Sequence, residues 1–214
     1  MFIIFSGLDC SGKSTQINLL NKEFEKRNEK SFVFWSRGGY TPGFQFLKDS
    51  LRKVAKKKLP EPGFSPERKK ALSNPFVLKL WLTIAMIDLI IFYAIYLRFK
   101  HIIGYNIICD RYIMDTNIDF NLTYPDQKIE KWILWKILNF FACKADFHFV
   151  STIPVKESVR RSKFKFEPYP DPPEILKKRL NIYNSKMDKD SSLIHLNGME
   201  SIEEIKYKIH SLLF

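Results

Sequence analysis

The sequence predicts an α/β fold, three layers deep, with a five-stranded parallel sheet between two layers of helices. Three observations predict it. Five short apolar runs, at 2–5, 32–35, 106–109, 147–150 and 193–196, alternate with longer stretches of helical spacing, a pattern whose natural solution is a parallel sheet covered on both faces. The first run ends in a glycine-rich stretch that leads straight into an amphipathic segment, giving strand, loop and helix in that order. The 214 residues, 45% hydrophobic and 27% charged, suffice for one buried core and exclude disordered, collagen-like and low-complexity chains.

Taken in order, the first strand stops at Ser6-Gly7, and 14–28 is helical from the spacing of Ile17, Leu20 and Phe24. The second run stops at Ser36-Arg37-Gly38-Gly39. Residues 48–74 form a basic insertion, with Lys56, Lys57 and Lys58 followed by Pro60, Pro62, Gly63 and Pro66. Segment 80–97 is nearly long enough to span hydrocarbon and carries Asp88 as its only charge. A carboxylate at mid-span costs about 2.5–3.5 kcal/mol on insertion scales, so a core helix is expected there and no membrane partner. The third run stops at Asp110-Arg111-Tyr112. Basic residues at 156–165 give way to the prolines of 168–173, which end any helix and mark 154–172 as a lid-like segment before a new helix. No internal repeat or composition shift divides the chain, so 1–214 reads as one domain.

The net charge of +12 favours polyanionic partners, phosphates first among them. Cys10, Cys109 and Cys143 are odd in number and lack any CxxC pairing, which points to a reducing, cytoplasmic setting and no thiolate metal site. The N-terminus has neither the basic region nor the apolar stretch of a signal peptide.

The loop Gly7-Leu8-Asp9-Cys10-Ser11-Gly12-Lys13-Ser14 satisfies GxxxxGK[ST] in the strand-to-helix context the pattern requires. Backbone N–H groups of such a loop converge on phosphate oxygens, and the positive end of the following helix adds attraction. Gly7, Cys10, Ser11, Gly12, Lys13, Ser14 and Thr15 are the expected ATP-binding residues. Lys13 would reach the β- and γ-phosphates, and Ser14 would offer its hydroxyl to Mg²⁺. Asp9 would repel a polyphosphate, so it either stabilises the turn or accepts a hydrogen bond from a substrate hydroxyl.

Asp110, at a strand end, sits where a carboxylate can hold a Mg²⁺-bound water. Arg111 either pairs with phosphate or forms a structural ion pair with a carboxylate. Asp115 and Asp119 share a helix face, where they bind substrate or simply solvate the helix. Arg160, Arg161, Lys163 and Lys165 either close over a triphosphate or form a solvated charge run. His101, His148, His195 and His210 have no ligand-like spacing and are given no role.

With these residues assembled, the chain resembles the thymidylate kinases and the wider thymidylate-kinase-like group of P-loop nucleoside monophosphate kinases. The likeness rests on residues 5–20 as the phosphate loop, 36–43 (SRGGYTPG) as a shortened acceptor-phosphate segment, 109–116 (CDRYIMDT) as the DR[YW] motif and 153–161 (IPVKESVRR) as the start of the lid. It implies the P-loop NTPase fold and an ATP- and Mg²⁺-dependent transfer of the γ-phosphoryl group to a small phosphate or hydroxyl acceptor. Catalysis would fall to Lys13, Asp110, Arg111, Arg160 and Arg161, with Mg²⁺ held through Ser14 and Asp110. Asp9, Arg37, Arg111, Tyr112 and Asp115 would bind the acceptor. The chain departs from the family in the long helix, where Leu89 stands at the position of the family's arginine and no aromatic residue stands at the stacking position. The remaining readings are a kinase for a nucleoside or sugar-type acceptor, and a nucleotide-dependent switch or binding protein. No nucleic-acid partner is expected, and a homodimer is possible.

Overall fold

A computed structural model of the chain describes residues 1–36, 73–165 and 170–214. Strands β1 (Phe2–Gly7), β2 (Ser31–Trp35), β3 (Asn106–Asp110), β4 (Phe147–Thr152) and β5 (Leu193–Asn197) form one sheet in the order β2-β3-β1-β4-β5. Every neighbouring pair is parallel; β1 is flanked by β3 with Phe2 opposite Ile107, and by β4 with Ile3 opposite Phe147. All five predicted runs are strands. Four of them extend at the C-terminal end through polar residues, among them Ser6, Asp110, Thr152 and Asn197, because ladder hydrogen bonds continue where apolar character stops.

The pleat sends alternate side chains to opposite faces. Phe2 and Ile4 pack with Phe34, Ile107 and Cys109 into one apolar layer, whereas Ile3 and Phe5 join Ile108, Phe149 and Leu196 in the other. Helices α1 (Lys13–Lys26) and α8 (Ile202–Leu213) cover the second layer through Ile17, Leu20, Phe24, Ile205 and Ile209. The four apolar side chains of β1 are at most 3% exposed. At about 1.5–3 kcal/mol for each buried side chain, this strand anchors both layers.

The first layer is covered by a helix of 28 residues, 75–102. It begins as α2 (Pro75–Leu89), widens into a π-helical stretch (Ile90–Tyr96) and ends as α3 (Leu97–Ile102). Asn74 caps it, its side chain accepting from the N–H groups of Phe76 (2.9 Å) and Val77 (3.4 Å), and Pro75 follows at the first helical position. The helix outruns the expected 80–97 at both ends, because Lys79, Arg98 and Lys100 interrupt the apolar count without interrupting the helix. Its length and composition would allow it to cross a membrane. Here Leu82, Ala85, Met86, Leu89, Tyr93 and Leu97 are buried in the layer against the sheet, while Leu80, Ile87, Ile91, Ile95, Phe99 and Ile102 on the outer side are exposed. The expected core helix is therefore buried along one side only. Helices α4 (Ile113–Thr123), α5 (Ile133–Phe141), α6 (Val155–Phe164) and α7 (Pro173–Met187) complete the described chain. Arg37 lies outside the described residues, as does the basic insertion apart from Ser73 and Asn74.

Candidate functional site

The phosphate-loop motif, the acidic strand end and the basic helix all follow C-terminal ends of parallel strands: β1, β3 and β4 respectively. That edge is where open α/β sheets collect ligands. The two loop glycines answer to different constraints. Gly7 is the last residue of β1, with φ at +130°, and a Cβ there would lie 1.9 Å from the Ser151 carbonyl oxygen of β4. Gly12 has φ at +95° and would meet nothing within 4 Å. It caps α1 and leaves that helix's N-terminus open to an anion. A cavity of about 700 Å³ is lined by residues 10–16 together with Arg160, Arg161, Gly198 and Ser201. Cys10, Ser11, Gly12, Lys13, Ser14 and Thr15 line it together.

Lys13 is buried, and its Nζ turns back on its own loop, donating to the carbonyls of Leu8 (2.5 Å) and Gly7 (3.3 Å) and to Ser11 Oγ (3.4 Å). Burial, and then the nearby Arg111 charge, lower its pKa to about 8, against the opposing pull of Asp110, Asp9 and Asp115. At the mouth of the loop Ser14 Oγ donates to Asp110 Oδ2 at 3.3 Å. A hydroxyl and a carboxylate side by side are the hard oxygen donors that suit Mg²⁺, which keeps several of its waters.

Arg111 follows β3 with φ at +73°, a left-handed conformation that a side-chain-bearing residue holds only when its surroundings impose it. Its N–H donates to the Phe5 carbonyl (2.8 Å), Nη2 is bonded to Asp9, and Nη1 donates to Asp115 Oδ1 (3.1 Å) and Tyr183 Oη (3.3 Å). Asp115 also accepts from Ser6 Oγ (2.5 Å), Tyr183 Oη (2.6 Å) and the N–H groups of Tyr112 (3.3 Å) and Gly7 (3.4 Å). Burial alone would raise the Asp115 pKa, but the Arg111 charge and the Ser6 and Tyr183 donors hold it below the usual value. The structural ion pair considered for Arg111 is thus present, and it is made with Asp9 and Asp115 themselves. The Tyr112 ring points elsewhere, into the apolar layer, 4.4 Å from the Tyr93 ring centroid and 5.4 Å from that of Phe2.

Asp115 and Asp119 do not solvate a helix. Both are buried, and α7 meets them with Tyr183 and Arg179, also four residues apart: Tyr183 bonds Asp115 while Arg179 bonds Asp119 and, at 2.8 Å, Asp171. This matched spacing on two helices was the signal in the sequence that could have found Tyr183 and Arg179. Ser6 and His148, 2.8 Å apart, were likewise missed.

Within the basic lid-like segment, Val155–Phe164 form a helix, α6, docked on the loop. Ser158 Oγ donates to the Asp9 carbonyl (2.8 Å), and Arg161 Nη1 donates to the carbonyls of Gly198 (3.1 Å) and Cys10 (3.4 Å). Glu157 bonds Arg160 twice at 2.7 Å and Arg161 at 2.6 Å. The bonds from Arg160, then those from Arg161, bring the Glu157 pKa down to about 2.

No family model matches the chain. Among solved structures it is similar to a deoxyadenosine kinase from M. mycoides with bound dATP, at 15% identity and a TM-score of 0.57, covering 100% of this chain and 99% of that one. It is also similar to a thymidylate kinase from Ehrlichia chaffeensis, at 17% identity and a TM-score of 0.54, covering 100% of this chain and 98% of that one. The likeness is one of fold: the described residues share the α/β architecture of those two structures, a parallel sheet covered by helices.

Proposed function

We propose that the protein is a P-loop phosphotransferase that moves the γ-phosphoryl group of ATP to a small acceptor, a nucleoside monophosphate or a related phosphate or hydroxyl compound. One observation carries the reading: at one sheet edge, a phosphate-loop lysine, a Ser14–Asp110 oxygen pair and an Arg111 clamped between two carboxylates lie beside a cavity large enough for a nucleotide. Residues 10–15 hold the triphosphate, with Gly7 allowing the strand to carry them there. Ser14 and Asp110 hold Mg²⁺, which when bound neutralises phosphate charge. Phosphoryl transfer through a loose transition state needs positioning and charge rather than covalent help, and Lys13, Arg111, Arg160 and Arg161 supply that charge. Asp9 and Arg37 serve the acceptor side, whereas Asp115, buried with both oxygens bonded to protein donors, serves it through Arg111. A hydrolysing switch would need no such carboxylate-and-arginine constellation beside its phosphate loop.

The acceptor is the finer question, and Leu89 bears on it. It is fully buried in the apolar layer, so no cation serves an acceptor phosphate from that position, and we expect dTMP to be a poor substrate. Incubation with ATP, Mg²⁺ and a panel of nucleosides, nucleoside monophosphates and sugar phosphates tests the reading. ADP formed only when an acceptor is present is the expected result, with kcat/KM for dTMP well under about 10⁴ M⁻¹s⁻¹. ADP formed at the same rate without any acceptor would reject it.

Arg160 and Arg161 are held by Glu157 until a polyphosphate competes for them. Their double replacement by alanine is expected to lower kcat by about 10³, the range for an arginine finger, while ATP affinity stays nearly intact. Equal losses of affinity and rate would make them a binding clamp instead.

A second copy of the chain is the macromolecular partner we propose. The long helix, with its exposed apolar side chains, packs against α5, whose Ile133, Phe140 and Phe141 are also exposed, and exposed apolar side chains on adjoining helices suit a subunit interface. Three free cysteines fit a cytoplasmic protein.

A further inference from the structure

We infer that His148 and Ser6 form a one-way hydrogen-bond relay that fixes Asp115, and through it Arg111, so that His148 is a positioning residue for phosphoryl transfer; the inference rests on the role given to Arg111 above. The relay is built by the parallel register. Ile4 lies opposite His148 and Ser6 opposite Val150, so the Ser6 and His148 side chains are diagonal neighbours on the same face of the sheet. His148 Nε2 lies 2.8 Å from Ser6 Oγ, and Ser6 Oγ lies 2.5 Å from Asp115 Oδ2. Ser6 and Asp115 are at most 1% exposed.

The polarity of this chain follows from counting protons. Asp115 is ionised, paired with Arg111, and can only accept. The Ser6 hydroxyl has one proton, and unless it points to Asp115 two lone pairs face each other at 2.5 Å. With that proton committed, Ser6 Oγ can only accept from His148. The imidazole must therefore carry its proton on Nε2. The other neutral tautomer would leave His148, Ser6 and Asp115 with three acceptors and one proton between two contacts.

The groups facing His148 are Asp115 from α4, Lys186 from α7 and Asp190 beyond it. Burial holds the ring's pKa below its ordinary value, so the neutral Nε2–H form prevails at neutral pH. What the relay secures is direction. Asp115 Oδ2 is occupied by Ser6 and the Tyr112 N–H, which leaves Oδ1 turned toward Tyr183 and Arg111. An apolar side chain at 148 would fill the same space against the sheet but would leave Ser6 Oγ without its donor, so the hydroxyl that holds the carboxylate, and through it the guanidinium, keeps one anchor of its two.

Two measurements on the intact chain test this. Long-range ¹⁵N–¹H correlation spectra of the wild type at pH 7.5 should show the His148 proton on Nε2; a proton on Nδ1 alone would overturn the relay, whatever the protein's activity. In steady-state assays with ATP and the best acceptor, His148→Leu should lower kcat about tenfold with the KM for ATP changed less than twofold, the scale of one charge-linked hydrogen bond. His148→Gln, whose amide N–H can reach Ser6, should recover kcat to within about threefold of wild type. Equal loss in both variants, or unchanged kcat in His148→Leu, would refute the positioning role. Should the wild type phosphorylate no acceptor, the functional reading falls while the tautomer still decides the relay.

Discussion

Replacing Lys13 by alanine is expected to lower kcat/KM for the ATP-dependent transfer by about 10³ or more, the largest single effect in the molecule. The ammonium group is the one cation inside the phosphate loop, and it is desolvated, so its attraction to a migrating phosphoryl group is weakly screened. Loss of folding does not explain such a loss of rate. With the native pKa lowered to about 8 against 10.5 for an unperturbed lysine, the protonated side chain is disfavoured by the fold. The unfolded chain binds the extra proton between those two values, so this residue makes the wild type gain stability as pH rises from 8 toward 10.5. Lys13→Ala should consequently be at least as stable as wild type at pH 7, which thermal melting reads directly. The same shift predicts a pH dependence of binding. Bound phosphate favours the charged lysine, so ATP affinity should fall as pH rises through about 8 in the wild type, with proton uptake seen by calorimetry in buffers of different ionisation enthalpy. Lys13→Ala should lack that proton uptake, and wild-type turnover in this variant would end the phosphate-loop assignment.

The second large effect is expected on stability. Asp115→Ala removes the carboxylate that accepts from Ser6, Gly7, Arg111, Tyr112 and Tyr183. It leaves a buried guanidinium with Asp9 as its remaining carboxylate partner and several donors without acceptors. Breaking a buried pair of this kind costs about 3–5 kcal/mol, or a fall in Tm of about 6–20 °C for a chain of this size. The pH profile distinguishes an electrostatic loss from a packing loss. The folded-state pKa of Asp115 is depressed, so its contribution is complete above the unfolded value of about 3.9 and fades as pH falls through the lower native value. The stability gap between wild type and Asp115→Ala should be constant from pH 5 to pH 7 and shrink in acid. A gap that does not change down to pH 2 would mean that volume, not charge, is what the substitution removes.

The parts of this molecule that were legible in the sequence are the local ones. The strand, loop and helix around Gly7 to Ser14, the five apolar runs and the new helix that opens at the last of the prolines, Pro173, are each written in a dozen or so consecutive residues. Ser14 and Asp110, nominated separately as metal ligands, lie within hydrogen-bond distance. What escaped depends on pairings between distant segments. Nothing near Asp115 announces that Tyr183 will bond it, although the shared four-residue spacing with Asp119 and Arg179 encodes the match between α4 and α7. His148 looked idle because its partner is a serine on another strand, reached diagonally across a register that only the folded sheet defines. Gly7 reads in the sequence as part of the phosphate loop, and the folded sheet adds a second demand on it, because its missing Cβ lets β1 approach the backbone of β4.

The contacts that build the Arg111 cluster also say when it can exist. Arg111 reaches Asp9 across 102 positions of the chain, Ser6 reaches Asp115 across 109, and Ser6 reaches His148 across 142. Each closes a long loop, and such loops must lose their entropy before the contact repays it, which makes parallel topologies of this kind slow to fold. The cluster is therefore a late product of folding, formed with the central strands rather than before them. In a refolding experiment, catalytic competence should return in a single phase together with the last, slowest burial of the sheet, and a collapsed intermediate with native helices but unpaired β1, β3 and β4 would be inert.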